Sequence, residues 1–239
     1  MTTTLVLLPG LAGDATMWRD QLNALAAWQP RVSEVHMHHD SIDAMAAALL
    51  REVPGELALC GASMGGMVAM EAARQAPGRI RGLALLGTTA RPESEDMRRL
   101  REDAVVLFEQ GRIEEVIAPN AHFAFHPAHA QDPELMDAYL RFVLRAGGEQ
   151  LARQNRAVMR RPDAREHLRA VRCPVLVMCG ADDQLTPVEC SREIAALAPH
   201  ADLRVLARCG HMLTMEQPGA VNAGLLEWLA GLPLAPARA

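Results

Sequence analysis

Residues 57–66 read L-A-L-C-G-A-S-M-G-G, and this stretch decides the fold of the 239-residue chain. Its first residues are a continuous apolar run, as expected of a strand that is buried on both faces of a parallel sheet. The pattern G-x-S-x-G follows, with glycines at 61 and 65 around Ser63. Small residues there let the chain reverse sharply between a strand and a helix. We therefore predict Ser63 as a nucleophile exposed on this turn; the alternative is a serine that only caps the helix.

Short apolar runs alternate with helical patterns along the rest of the chain. This alternation predicts an α/β fold with a mostly parallel, doubly wound sheet of about six strands. We predict strands at residues 4–8, 32–37, 57–61, 82–87, 174–179 and 202–206. We predict helices at about 14–27, 41–52, 64–76, 187–198 and 217–230. Before the fourth helix, Thr186, Pro187 and Glu189 predict a capping box with Thr186 as the N-cap residue.

A long helical segment interrupts this alternation. Residues from about 90 to 165 contain no strand pattern, whereas one apolar helix face ends near Gly111 and a second helix opens at Asp132-Pro133. That second pattern is predicted to stop at Gly147-Gly148. We therefore predict a single domain at 1–239 whose core is formed by 1–89 and 166–239, with an inserted helical cap at about 90–165.

Composition excludes several classes of function. The formal net charge of −5 gives no indication of a nucleic-acid surface. All 24 basic residues are Arg, which removes Schiff-base chemistry and the lysine of phosphate-binding loops. The cysteines are scattered without a C-x-x-C pair, so neither a disulfide framework nor a structural zinc site is expected. We expect no signal peptide and no membrane span, and hence a cytoplasmic protein without nucleic-acid or membrane partners.

Candidate catalytic partners of Ser63 follow later strands. In an open parallel sheet, functional groups gather at the carboxyl ends of the strands. His211 follows the predicted strand at 202–206, and Asp182 and Asp183 both follow the strand at 174–179. A serine needs a base to take its proton and an acid to orient that base. The chain order Ser, Asp, His therefore predicts a nucleophile, an acid from one of the two aspartates, and a base.

The turn after the first strand is a candidate oxyanion site. Residues 8–13 read L-P-G-L-A-G, and this turn lies at the same edge of the sheet as Ser63. The backbone N–H groups of Leu11 and Met64 could converge on a carbonyl oxygen beside Ser63, with the N-terminus of the following helix favouring negative charge. The pattern G-x-G-x-x-G is absent here, so a dinucleotide cofactor is not expected.

Four motifs together resemble the α/β-hydrolase superfamily, in its small serine-hydrolase branch with a helical cap. They are L-P-G-L at 8–11, G-A-S-M-G-G at 61–66, G-A-D-D-Q-L-T-P at 180–187 and G-H-M at 210–212. The resemblance implies Ser63 as nucleophile, Asp183 as acid, His211 as base and the Leu11 and Met64 amides as the oxyanion hole, with no cofactor and no metal. The chain departs from the family at Pro9, where a His is usual, and it starts at the family's third strand.

The resemblance also narrows the reaction. Relatives that open epoxides or remove halogens carry Asp at the nucleophile, hydroxynitrile lyases rely on a Lys, and the menaquinone-pathway branch carries an Arg at the position of Met67. What remains is hydrolysis of an ester, thioester or lactone of a small to medium apolar substrate through an acyl-enzyme. The alternatives are a carbon–carbon hydrolase, a cofactor-free perhydrolase, or a receptor-like member that binds its ligand with little turnover.

Aromatic residues of the cap and the first helix are candidates for the substrate pocket. The predicted pocket residues are Trp18, His122, Phe123, Phe125 and Tyr139. Residues 36–40 read H-M-H-H-D and suggest a metal site, but no second cluster completes a ligand set. A solvated loop is the favoured interpretation of that segment, and we expect no metal.

Overall fold

Six strands form one sheet in the computed structural model, which describes residues 3–232. Their spatial order is β2-β1-β3-β4-β5-β6, and every neighbouring pair is parallel. The strands are β1 (Thr3–Leu8), β2 (Arg31–Val32), β3 (Glu56–Ala62), β4 (Ile80–Leu86), β5 (Val175–Gly180) and β6 (Ala201–Leu206). The predicted α/β fold with a doubly wound sheet of about six strands is confirmed. Because all strands run in one direction, their carboxyl ends lie at one edge of the sheet.

Helices follow or connect the strands. They are α1 (Arg19–Ala24), α2 (Val35–His38), α3 (Ile42–Glu52), α4 (Met64–Gln75), α5 (Glu95–Glu109), α6 (Ile113–Asn120), α7 (Pro133–Met159), α8 (Arg165–Leu168), α9 (Val188–Leu197), α10 (Leu213–Glu216) and α11 (Pro218–Ala230). Helices α3, α4, α9 and α11 match four of the predicted helices to within two residues. None of the helices within 3–232 is long and apolar enough to cross a membrane.

The central strands are buried on both faces, which explains their unbroken apolar sequences. In β3, Ala58 and Cys60 belong to one hydrophobic cluster, whereas Leu57 and Leu59 belong to another on the opposite face. Successive strand residues point to opposite sides, so a strand between two helical layers needs an apolar residue at every position.

The strand predicted at 32–37 is largely wrong. Only Arg31–Val32 pairs with β1, and Val35–His38 forms the short helix α2. Val35 and His36 are both buried, and the Nε2 atom of His36 lies 2.7 Å from the carbonyl oxygen of Gly13. The carbonyl oxygen of His36 accepts a hydrogen bond from the side chain of Gln154 on α7 at 2.9 Å, so this segment is bonded to α7 and does not extend the pairing with β1. The helix predicted at 14–27 is also divided, with α1 lying between two short 3-10 turns.

Helices α5 to α8 fill the chain between β4 and β5, and the described residues there contain no strand. The helix predicted to stop at Gly147-Gly148 is interrupted there. Gly147 has φ 76° and ψ 162°, which is not a helical conformation, so α7 consists of two helical segments joined by a kink at this residue. A Cβ atom on Gly148 would lie 2.2 Å from the carbonyl oxygen of Phe108, so a glycine is needed where α7 crosses α5 closely.

Candidate active site

Ser63 lies at the turn between β3 and α4 in a strained backbone conformation. Its φ of 52° and ψ of −117° are unusual for a residue with a side chain. A Cβ atom on Gly65 would lie 2.0 Å from the carbonyl oxygen of Leu8, and one on Gly61 would lie 2.3 Å from that of Gly65. The G-x-S-x-G pattern is therefore required by close backbone approach on both sides of the turn.

Asp183 and His211 form a hydrogen-bonded pair at the same edge of the sheet. The Nδ1 atom of His211 lies 2.8 Å from Oδ2 of the buried Asp183. Burial opposes the charged form of Asp183, but the charge of His211 and hydrogen bonds from His211 and Thr186 outweigh it and lower the pKa of the carboxyl. Burial likewise opposes the imidazolium, yet Asp183 raises the pKa of His211 above its ordinary value. An ionised acceptor at Nδ1 leaves Nε2 as the basic atom.

The neighbouring Asp182 has different surroundings. Its side chain is 44% exposed and its carboxylate lies 3.9 Å from Nε2 of His126, whereas the Asp183 side chain is fully buried. Strand position left both aspartates open as the acid; the structure places Asp183 against His211, as the resemblance implied.

Thr186 is a site residue that the sequence assigned to another role. The predicted capping box is wrong, because Pro187 is the N-cap residue of α9 and no side chain caps that helix. The hydroxyl of Thr186 instead donates to Oδ2 of Asp183 at 2.8 Å and lies 3.3 Å from Nδ1 of His211. The motif T-P satisfied a helix-start pattern, and only the fold shows that the hydroxyl turns toward the carboxylate.

Hydrogen bonds join the loop that carries His211 to the segment between β4 and β5. The backbone N–H of His211 donates to the carbonyl oxygen of Ala124 at 3.0 Å. The buried carboxylate of Glu216 accepts from the backbone N–H of Gly210 at 2.9 Å and from that of His126 at 2.8 Å. No sequence motif marks Glu216, because its role depends on two segments far apart in the chain.

A cavity of about 680 Å³ contains Ser63, His211, Leu11 and Met64 in its lining. Among the residues that the structure describes, the backbone N–H groups of Leu11 and Met64 donate to no protein acceptor, so both are available to an oxyanion. Within 3–232, no hydrogen bond joins Ser63 to His211. Such catalytic hydrogen bonds often tighten only with substrate bound.

The aromatic residues predicted to line the pocket divide into two groups. Phe123 and Tyr139 line the cavity, but Trp18, Phe125 and His122 do not. Trp18 and Phe125 are fully buried in the hydrophobic core, where the rings of Phe125 and Tyr139 lie nearly perpendicular to each other. The ring of His122 lies beside that of Phe123, with 3.9 Å between the ring centroids, and is not part of the cavity lining. The prediction that these three residues line the pocket is therefore wrong, because a single sequence gives no indication of which side of a helix or turn faces a cavity.

The charged residues of the cavity lining were not predicted from the sequence. Glu93, Arg101 and Arg161 line the same cavity as Ser63 and come from the beginning and end of the predicted cap. They occur in no motif, so only the fold brings them together. In the part of the chain that the structure describes, no three His, Cys, Asp or Glu side chains are grouped as a metal site would require.

A second cavity of about 660 Å³ lies at the opposite edge of the sheet. Its lining includes Arg81 at the start of β4 and Pro174 just before β5. These positions are at the amino ends of the strands, where open α/β sheets do not place their reactive groups. We therefore assign the candidate site to the cavity with Ser63.

The parallel sheet, the strained serine turn and the Asp–His pair at its carboxyl edge define the class of proteins with the α/β-hydrolase fold. The model of the alpha/beta hydrolase family matches residues 5–223, and the chain belongs to this family.

Several relatives are hydrolases. The chain is 29% identical to a protein of Serratia proteamaculans (strain 568) that is given the name carbamate hydrolase RutD, over 96% of this chain and 91% of the relative. A thermophilic esterase from Thermogutta terrifontis has a TM-score of 0.86 at 29% identity, covering 96% of this chain and 91% of that one. The enol-lactonase from Burkholderia xenovorans LB400, at 22% identity and a TM-score of 0.85 over 96% and 92% of the two chains, shares the fold.

Proposed function

We propose that the protein is a serine hydrolase that cleaves a carboxylic ester, thioester or lactone through an acyl-enzyme on Ser63. The observation that carries the proposal is the 2.8 Å contact between His211 and Asp183 at the cavity that also contains Ser63. Hydrolysis of an acyl group requires a nucleophile, an oriented base and donors for the oxyanion, and this cavity contains a candidate for each.

The roles follow from the hydrogen bonds. Asp183 holds the Nδ1–H of His211, so Nε2 takes the proton of Ser63 as its oxygen attacks the substrate carbonyl. The backbone N–H groups of Leu11 and Met64 stabilise the oxyanion. His211 then donates its proton to the leaving alcohol. A water molecule releases the acid from Ser63 in a second step with the same roles reversed.

The predicted cap at about 90–165 is proposed to select the substrate, with 1–89 and 166–239 as the core. This proposal is supported by the position of α5 and α7, which contribute Leu100, Phe108 and Tyr139 to the lining of the cavity with Ser63. The hydrogen bond from the backbone N–H of His211 to the carbonyl oxygen of Ala124 also links this segment to the proposed base.

Carbamate hydrolysis is a second candidate, favoured by the name given to the 29% identical relative. A carbamate presents the same carbonyl carbon to Ser63 and needs the same oxyanion donors. Its leaving group is an amine or an alcohol that His211 would protonate.

Labelling and turnover together test the proposal. A fluorophosphonate probe should modify Ser63, located by peptide mass spectrometry, and the Ser63→Ala variant should stay unlabelled. Turnover is then measured on nitrophenyl esters of rising acyl length, a thioester, a lactone and a nitrophenyl carbamate. No labelling of Ser63 would rule out the acyl-enzyme, whereas labelling without turnover on any substrate would favour the ligand-binding alternative.

A further inference from the structure

The cavity with Ser63 contains more positive than negative charge on one part of its wall. Its charged acidic and basic lining residues are one carboxylate, Glu93, and two guanidinium groups, Arg101 and Arg161. The side chains of Glu93 and Arg161 are only 5% and 7% exposed. One carboxylate between two guanidinium groups leaves one positive charge in excess.

All three guanidinium nitrogens of Arg161 contact protein acceptors. Its guanidinium lies 2.8 Å from Oε2 of Glu93 through Nη1 and donates to Oε1 at 3.1 Å through Nη2. Its Nε donates to the carbonyl oxygen of Arg91 at 2.7 Å, and its Nη1 donates to that of Val158 at 3.0 Å. Burial opposes the charge of Glu93, but both arginines outweigh it and lower the pKa of this carboxyl, which stays ionised. Arg161 and Glu93 therefore form a neutral, structural pair.

Arg101 is only partly engaged. Its Nε donates to Oε2 of Glu93 at 2.7 Å, and its Nη1 donates to Oδ1 of Asn155 at 2.7 Å. Within residues 3–232, its Nη2 donates to no protein acceptor, and its side chain keeps 26% exposure in the cavity lining. The excess charge thus belongs to a guanidinium with free donors, which Glu93 and Asn155 hold in one orientation from two sides.

The surroundings of Arg101 are largely apolar, so the excess positive charge carries a cost in solvation free energy unless a second anion binds. The part of α5 around Arg101 contributes four apolar residues to the cavity lining, namely Met97, Leu100, Ala104 and Phe108. Burial lowers the pKa of Arg101 and the neighbouring Arg161 contributes in the same direction, against the opposing effect of Glu93. Removing a guanidinium from water costs free energy that a bound anion recovers, and a charge-assisted pair is strongest in such a setting.

We propose that Arg101 binds a free carboxylate of the substrate, so that the natural substrate is an ester or lactone that also carries a carboxylic acid group. A carboxylate matches the planar fork of donors and balances the single excess charge, whereas a phosphate dianion would leave a negative charge in a mostly apolar cavity. The inference rests on the proposed hydrolysis at Ser63, and it adds an anionic group to the apolar substrate predicted from the sequence.

Matched substrates test this inference. Mono-4-nitrophenyl adipate and 4-nitrophenyl hexanoate have acyl chains of equal length and differ in one terminal carboxylate. We expect kcat/KM of the wild-type protein to be about tenfold or more higher for the adipate ester. Arg101→Gln should reduce the ratio of the two kcat/KM values by a similar factor, because the charged partner is lost. Arg99→Gln is the control, since Arg99 is an exposed residue of the same helix paired with Glu95.

The outcomes separate the two proposals. Equal rates on both esters, or an unchanged ratio in Arg101→Gln, would overturn the carboxylate assignment while leaving hydrolysis intact. Faster turnover of the corresponding phosphonate-terminated ester would replace the carboxylate by a phosphate-like group. If Arg101→Gln does not fold, inhibition of the wild-type protein by adipate but not by adipamide is the required result, and equal inhibition refutes the inference. Failure of Ser63 to react with the fluorophosphonate would refute the proposed function itself.

Discussion

The hydroxyl of Thr186 and the Nδ1 atom of His211 share one oxygen of Asp183, each at 2.8 Å. The other oxygen, Oδ1, accepts from the backbone N–H groups of Leu185 and Thr186, both at 2.9 Å. The carboxylate is therefore held from four directions, and its charge is directed at the imidazole. Substitutions at Asp183 and Thr186 therefore test the proposed mechanism most directly.

Replacement of the two neighbouring aspartates should have unequal effects. Asp183→Asn should lower kcat by about 10⁴, because the imidazole loses the acceptor that fixes its tautomer and stabilises its charge. Asp182→Asn should cost about tenfold or less, since Asp182 is 44% exposed and acts only through screened electrostatics. Turnover of one nitrophenyl ester measured on both purified variants decides between them. A dead Asp182 variant, or high activity in both, would contradict the assignment.

Thr186 is expected to be a positioning residue. Thr186→Val should lower kcat about tenfold or more, because a hydrogen bond to a charged carboxylate is lost while the side-chain shape is kept. The pH profile should also move: Asp183 without this donor holds the imidazolium more strongly, so the pKa of His211 rises further. Thr186→Ser retains the hydroxyl and should restore both the rate and the profile. An unchanged profile in the valine variant would limit Thr186 to a packing role.

The pH dependence of the wild-type protein follows from the Asp183–His211 pair. Asp183 raises the pKa of His211 above its ordinary 6.5, and only the neutral imidazole can act as base. Activity should therefore fall as the pH is lowered through that raised pKa, giving an acidic limb of kcat/KM above pH 6.5. In Asp183→Asn the residual activity should show this limb at lower pH. A limb below pH 6 in the wild-type protein would be inconsistent with the pair as described.

Removing the nucleophile should leave the fold intact. Ser63→Ala is expected to lower kcat by about 10⁴ to 10⁶, because the hydroxyl is the attacking group in the proposed mechanism. Its effect on the thermal midpoint should be small, since the described hydrogen bonds of Ser63 are made by its backbone N–H and carbonyl groups. Esterase rates and thermal denaturation curves measure the two effects separately. Activity within tenfold of the parent would remove Ser63 from the mechanism.

The glycine beside the nucleophile should be intolerant of a side chain. Gly65→Ala is expected to destabilise the protein by about 3 kcal/mol or more, because the new Cβ would lie 2.0 Å from the Leu8 carbonyl oxygen and backbone must move. Gly219→Ala in α11 is the matched control, since a Cβ there meets no atom within 4 Å. Urea denaturation of both variants provides the comparison. Equal stability of the two would show that the turn is not held by close approach.

The sequence alone determined the fold and the order of the candidate catalytic groups. Buried parallel strands need apolar residues on both faces, so β3 and its neighbours are visible as unbroken runs. The turn at Ser63 needs glycines where backbones meet within van der Waals distance, so it leaves a local motif. The rule that reactive groups follow strand ends then singled out His211 and narrowed the acid to two adjacent aspartates. Each of these features is local in the chain, and that is why one sequence contains it.

Only the tertiary structure decided which side chains meet. Thr186 matched a helix-capping pattern, yet its hydroxyl binds Asp183 in the same loop, because α9 begins only at Val188 with Pro187 as its N-cap residue. Trp18 and Phe125 were predicted at the pocket but are buried in the core, since the direction of an aromatic side chain depends on what packs around it. Arg101 lies on α5 and reaches Asn155 on α7 across more than fifty intervening residues. The contact between Arg101 and Asn155 arises from packing between distant segments, and no spacing along the chain encodes it.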